Sequence, residues 1–347
     1  MMRRRDFLRT GVAGGVSVAL ASVSKRARGA GIAHLYADLH SERYFEGPVR
    51  IETQLDDPDA FTEGPAVAES GEVFFTNIPA AEVLGWHPGT KTLRVVREKS
   101  GNANGLLFDP DGHLLACEGE AGRVTRMDLS SGNVAVLADE YDGLPLEAPN
   151  DLVQDRQGRI YFTSRPGGTT ERKGNVNAVY RIDPDGSLHQ LLRDPEVHVP
   201  NGILLSPDQR TLYLIDADGG EGRNRNITAY DRRPDGTLAN RRVIVDFSPG
   251  RSGDGMCVDA KGHLYVAAGL HARRGSSETL DTRPGIHVFS PEGELLAFSE
   301  TPQDTVTNCT FGGPDRRTLY VTCGPLLLSV RTRNPGPPPR QNIDSQG

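Results

Sequence analysis

Six oxygen-bearing side chains recur at one position of a repeated pattern along this chain. They are Glu63 in TEGPA, Asn104 in NANGL, Asn150 in PNDL, Asn201 in PNGIL, Asp254 in GDGMC and Asn308 in TNCTF. Each stands at the start of the first apolar stretch of its repeat. Carboxylates and amide oxygens without Cys or His are the ligand set of a hard divalent cation. Calcium takes about six to eight such oxygens in flexible geometry, whereas zinc more usually recruits His or Cys. Calcium is therefore the first expectation, with magnesium, manganese or zinc as alternatives. A lone Asn-Gly or Asn-Asp would signal only a turn. Six positions in phase, two of them acids, point to one shared site.

The elements that must position these residues follow from the repeat. Six segments share an apolar stretch, a polar turn and a second short strand: 65–76, 105–116, 151–163, 202–215, 255–267 and 309–322. Their turns carry the Asp-Gly and Gly types that hairpins require. Marked at Phe74, Leu114, Ile160, Leu212, Leu264 and Leu319, the second strands are spaced by 40, 46, 52, 52 and 55 residues. That is the span of a four-stranded propeller blade and not of a βαβ unit. The intervals hold further alternating runs, such as 83–96, 123–138, 178–192 and 285–298, and no long helical period. The expected fold is all-β: a six-bladed β-propeller with four-stranded antiparallel blades, in one domain over 31–332. The last repeat is one strand short. Val49–Leu55 alternates well enough to supply it, which would close the ring and remove an exposed sheet edge. The first strand of each blade lines a propeller's central channel, so the six residues would meet at one mouth.

Residues 1–30 differ from the rest. A basic stretch is followed by a short apolar run, Gly11 to Val23, and more basic residues. Arg4-Arg5-Asp6-Phe7-Leu8-Arg9 has the form of a twin-arginine export signal. The expected location is periplasmic or secreted, with no membrane association once the leader is removed. The leader holds seven Lys/Arg and one Asp, so the chain's net charge of −7 becomes −13 for the remainder. Such an acidic body argues against nucleic acid as a partner. The Pro-rich stretch 333–347 reads as a disordered tail. Of the four cysteines, none has metal-ligand spacing. They read mainly as buried thiols, and Cys309–Cys323 is the one bridge the sequence suggests. His113, His263 and His87 read as turn or strand-end residues.

The motifs Glu63-Gly64-Pro65, Pro149-Asn150-Asp151 with Ile160-Tyr161-Phe162-Thr163, Pro200-Asn201-Gly202-Ile203 and Asp254-Gly255-Met256 resemble those of the regucalcin (senescence marker protein) and gluconolactonase family. The resemblance covers about residues 50–330. It implies a six-bladed propeller in which Glu63, Asn201 and Asp254 hold one divalent metal and Asn150 holds metal or substrate. Two departures stand out. Ala148 takes the place of an Arg found in the animal sugar-lactonase branch. The stretch YFTSRPGG (161–168) replaces the YFTDPPYG common in bacterial relatives.

A metal with few protein ligands keeps positions for water and substrate, polarises a carbonyl and acidifies its water. Asp254 is then expected to be both ligand and general base. Asn104, Asn150 and Asn308 would bind substrate, as would His271 from the polar insert Gly269–Arg283. This insert and Arg165–Asn177 could each cover the mouth or lie on the far face. The leading expectation is a metal-dependent hydrolase of lactones, with a small-molecule lactone as partner. A phosphotriesterase or aryl esterase on the same site, or a non-catalytic propeller pinned by metal, remain the alternatives.

Overall fold

The computed structural model describes residues 36, 38–165, 177–274 and 277–338. The twin-arginine leader lies outside them, as do 166–176 and the end of the tail. The described chain is mostly β, with a short 3₁₀ turn at Ser41–Arg43. Six four-stranded antiparallel sheets follow one another, as the repeat requires. Five are built from four consecutive strands each. The sixth combines Val306–Gly312, Thr318–Cys323 and Leu326–Arg331 with Arg50–Gln54 from the other end of the chain. Arg50 pairs with Ser329 and Ile51 with Leu328, so the expected closure by the segment before the first repeat is present.

The first strand of each blade, numbered one to six in chain order, packs against the first strands of both neighbours. These inner strands are Thr62–Val67, Ala103–Phe108, Ala148–Gln154, Pro200–Leu205, Gly253–Val258 and Val306–Gly312. The core is divided in the same way. Buried apolar side chains fall into six clusters, one between each pair of adjacent blades. Strand alternation explains how consecutive residues serve different clusters. Phe74 packs toward blade two, and Phe75 packs toward blade six. Tyr161 and Phe162 divide themselves likewise between blades four and two.

The tail is corrected in part. Residues 333–338, read from sequence as the start of a disordered segment, are held against the ring. Asn334 is buried and donates from Nδ2 to Asp259 Oδ2 at 3.0 Å. Ala260 N donates to Pro335 O, and Gly336 N donates to Arg316 O. The prolines leave few N–H donors here, but the Pro335 carbonyl and the Asn334 side chain still find partners. Residues 339–347 lie outside the described chain.

Candidate active site at the channel mouth

Each inner strand breaks register with its neighbour at the repeated position. The shift falls between Glu63 and Ala66, Ala103 and Leu106, Pro149 and Leu152, Pro200 and Ile203, Gly253 and Met256, and Val306 and Asn308. A bulge leaves extra residues unpaired and re-aims their side chains. This is why one oxygen-bearing residue per blade recurs there. Glycine serves the same geometry. A Cβ on Gly105 would fall 2.7 Å from Asp151 Oδ1, and one on Gly202 would fall 2.7 Å from the Asp254 carbonyl oxygen. Only glycine lets the neighbouring strands approach so closely.

Hydroxyls fix these blades to each other. Thr76 Oγ1 donates to Asn104 O at 3.1 Å, Thr163 Oγ1 to Asn201 O at 2.8 Å and Thr307 Oγ1 to Thr62 O at 2.8 Å. The mouth is therefore built on rigid strands cross-linked between blades.

Glu63, Asn150, Asn201, Asp254 and Asn308 are all buried. Asn201 Nδ2 donates to Asp254 Oδ1 at 2.6 Å, which joins blades four and five. Asn308 Nδ2 lies 3.4 Å from Asp151 Oδ2. Burial raises the Glu63 carboxyl well above the ordinary range, and the negative charges of Asp254 and Asp151 add to the rise. Burial likewise pushes Asp151 up to about 7, against hydrogen bonds from Leu152 N and Asn308 that favour its ionised form. Three carboxylates thus share one small, desolvated region.

Positive charge is scarce there. Arg251 NH2 lies 3.4 Å from Asp254 Oδ2, and its NH1 lies 3.4 Å from Glu278 Oε1. Among the described residues, Glu63 and Asp151 have no ion-pair partner. Glu118 shows the contrast. It is equally buried but is met by Arg97 and Arg123, each at 2.7 Å. A surplus of desolvated carboxylate oxygens beside amide oxygens is the donor chemistry that suits a hard divalent cation.

The expected residues do not all converge. Asn104 and Asn150 occupy equivalent bulges, but no side-chain hydrogen bond links them to the other four among the described residues. His271 is exposed, and its Nε2 lies 3.3 Å from the Thr301 carbonyl oxygen. Its loop is nevertheless on the mouth face, because the strand leading into it ends with Ala268 paired to Gly253. The strand Ile160–Arg165 ends on the same face, since Arg165 pairs with Ala148, and the residues 166–176 that follow lie outside the described chain. An arginine is therefore the cross-strand partner of the alanine that replaces the arginine of the animal branch.

Asp151 and Arg251 had no assigned role in the sequence. Neither type recurs at its position in the other repeats, so phase gave no signal. The neighbouring Asn150 and Asp254 were the only pointers.

A second acidic group lies elsewhere. Asp109, Asp111 and His113 place their ligand atoms within 4.8 Å of one another. Asp109 also accepts the backbone N–H groups of Asp111 and His113, and Arg126 NH2 lies 2.7 Å from its Oδ2. Asp259 with His263 repeats this turn in blade five, and Asp155 with Arg159 repeats it in blade three. The three aspartates cap hairpin turns, and Arg126 already neutralises the first of them.

A sequence profile of the SMP-30/gluconolactonase/LRE-like region matches residues 61–324. The chain belongs to this family. It is 28% identical over 304 residues to a gluconolactonase of Zymomonas mobilis, spanning 80% of each chain. It is 27% identical to a pentonolactonase of Haloferax volcanii, over 68% of this chain and 79% of the relative. The solved structure of a gluconolactonase from Xanthomonas campestris is 30% identical and superposes with a TM-score of 0.68, covering 84% of this chain and 96% of that one. The family resemblance read from the motifs is thereby established, together with the propeller.

Proposed function

We propose that this protein hydrolyses lactones of small polyhydroxy acids at the channel mouth, with the aid of one divalent cation. The observation that carries the reading is the group Glu63, Asp151 and Asp254: three buried carboxylates, with Arg251 the sole guanidinium in ion-pair contact among the described residues. The lactonases among the relatives support the substrate class.

Glu63, Asn150, Asn201 and Asp254 would hold the cation, with calcium first and magnesium, manganese or zinc as alternatives. A bound cation of this kind polarises the ester carbonyl and acidifies water. Asp254 accepts the proton of the attacking water, and the Asn201 amide holds its carboxylate in place. Addition of the water oxygen to the carbonyl carbon is followed by loss of the ring oxygen. Asp254 returns its proton to that leaving oxygen, and the product is the open hydroxy acid. Asn308, Asn104 and Asn150 offer amide groups to substrate hydroxyls.

The deciding experiment is a lactone panel, extended to aryl esters and phosphotriesters, with and without chelator. Turnover of lactones restored by a divalent cation is the expected result. Absence of lactone turnover in calcium, magnesium, manganese and zinc alike defeats the reading. The basic leader supports action in the periplasm or outside the cell. Changing Arg4 and Arg5 both to Lys should leave precursor in the cytoplasm, and mature protein in the envelope fraction would count against export.

A further inference from the structure

Cys257 and Cys309 sit on the inner strands of blades five and six, and their Sγ atoms are 3.5 Å apart. All four cysteines of the chain are free thiols here. The pairing differs from the one suggested by sequence. Cys323 directs its Sγ to the carbonyl oxygens of Gln303 and Asp304, at 3.3 and 3.5 Å. The contact between Cys257 and Cys309 follows from the glycine at the bulge. A Cβ on Gly255 would collide with the Asn308 side chain. The Asn308 side chain therefore lies tight against the neighbouring strand just before the thiols.

The two residues differ in exposure. Cys309 is 3% exposed and packs its Sγ 3.3 Å from the Tyr265 carbonyl oxygen. Cys257 is only partly buried. Cys257 is thus the residue of the pair nearer to solvent. Burial raises the Cys257 thiol well above its ordinary range, so its oxidation is slow near neutrality and faster in base.

We infer that Cys257 and Cys309 are a redox-closed pair, a dithiol under reducing conditions and a disulfide staple between blades five and six under oxidising ones. The oxidant is a disulfide, either a small-molecule one or a protein donor. The Cys257 thiolate attacks it, forming a mixed disulfide and releasing one thiol. The Cys309 thiolate then attacks the Cys257 sulfur and releases the second thiol. Two protein thiols lose two electrons and two protons, and the oxidant's S–S bond becomes two thiols. A disulfide is about 2.0 Å long, so the sulfurs must approach by about 1.5 Å.

The staple bears on the mouth. Cys309 N donates to Asn308 Oδ1 at 2.8 Å, and Asn308 in turn lies 3.4 Å from Asp151. Movement of Cys309 is passed directly to a mouth side chain. The bond also joins residues 52 apart in sequence, which restricts the unfolded chain and raises the melting temperature.

The test uses the purified full chain, equilibrated in reduced or in oxidised glutathione at pH 8. Remaining thiols are alkylated under denaturing conditions, and the digest is mapped by mass spectrometry. The expected result is a Cys257–Cys309 linked peptide in the oxidised sample, with Cys117 and Cys323 alkylated. The oxidised protein should melt several degrees higher than the reduced one. Cys257→Ser should abolish both effects, and Cys323→Ser should keep both. A glutathione adduct that persists on Cys257 while Cys309 is alkylated overturns the inference. So does a Cys309–Cys323 peptide in place of the expected one. The wild-type map needs no variant to fold, and its outcome is independent of whether the protein hydrolyses lactones.

Discussion

Asn308 Nδ2 lies 3.4 Å from Asp151 Oδ2, and this contact runs from blade six to blade three. In a ring of six these blades are opposite each other. The channel at its mouth is therefore narrow enough for two short side chains to span it. Asn308 also acts on Glu63, since its amide hydrogen bond partly offsets the rise that burial imposes on that carboxyl. One amide thus tends two of the three crowded acids.

Asn308→Ala should accordingly weaken substrate handling without removing the base. A hydrogen bond to a charged group is worth about 1.5–3 kcal/mol. The expected fall in kcat/KM on a sugar lactone is therefore about 10- to 100-fold, carried mainly by KM. Initial rates across a substrate series would show this, and an unchanged KM would remove Asn308 from substrate contact.

Glu63→Gln should change stability with opposite signs in two conditions. Glu63 is buried, and Asp254 and Asp151 both oppose its charge. In chelator, the neutral amide relieves that repulsion, so the variant should melt at or above the wild type. In calcium, the wild type should gain the larger increase, because binding to the folded state alone stabilises it. Melting curves of both proteins with chelator and with a calcium series test this. An equal calcium-induced rise in both would remove Glu63 from the ligand set.

Much of this site was legible because the ring turns phase into proximity. Glu63, Asn201, Asp254 and Asn308 were marked by the phase of the repeat, and each lies in or beside the bulge of its inner strand. The closure by residues 50–54 was legible because the last repeat lacked a strand. What was hidden depended on contacts between blades. Asp151 reaches across the channel and Arg251 ties a loop to Asp254, and neither follows a repeat. Cys309 was matched to Cys323, its neighbour in the same sheet, whereas the sulfur it touches is on the next blade. His271 follows its loop to the mouth face, but its ring is taken by Thr301 O.

The two ends of the propeller should tolerate truncation unequally. Deleting residues 1–56 removes the strand paired with Leu326–Arg331 and opens the ring, so the protein should not give a cooperative unfolding transition. At the other end, a chain ending at Gln341 keeps the contacts of Asn334, Pro335 and Gly336 and should melt near the wild type. A chain ending at Thr332 loses them and should melt several degrees lower. Equal melting of both C-terminal truncations would show that residues 333–336 add nothing to stability.

His287 should make stability fall in mild acid. It is 1% exposed between Phe289 and Phe298, with Tyr36 Oη 2.7 Å from its Nε2. Burial holds its imidazole down to about 3, against an ordinary value of 6.5. The unfolded chain therefore takes up the proton first as pH falls. The stability this confers is complete above about pH 6.5 and is lost progressively toward pH 3. Its slope cannot exceed about 1.4 kcal/mol for each step of one in pH. Denaturant unfolding of wild type and His287→Gln across this range should show a flatter curve for the variant. Parallel curves would mean that the ring charges in the folded state.

Asp254→Asn isolates the proposed base. The carboxylate is oriented by Asn201 Nδ2 at 2.6 Å and approached by Arg251 NH2 at 3.4 Å. The amide keeps one oxygen for a cation but cannot accept a proton from water near neutrality. General-base catalysis is worth about 10²–10⁴-fold, so kcat should fall by that much at saturating metal. Metal affinity should fall far less, because a ligand oxygen remains. The two effects are separated by measuring cation binding calorimetrically and turnover independently on the same preparation. Loss of both together would make Asp254 a ligand first, and its role as base would then lack support. Retention of most of kcat with normal metal binding would move the base elsewhere in the mouth. Asp151 is the next carboxylate to examine there, because it shares the desolvated region and lies within reach of Asn308.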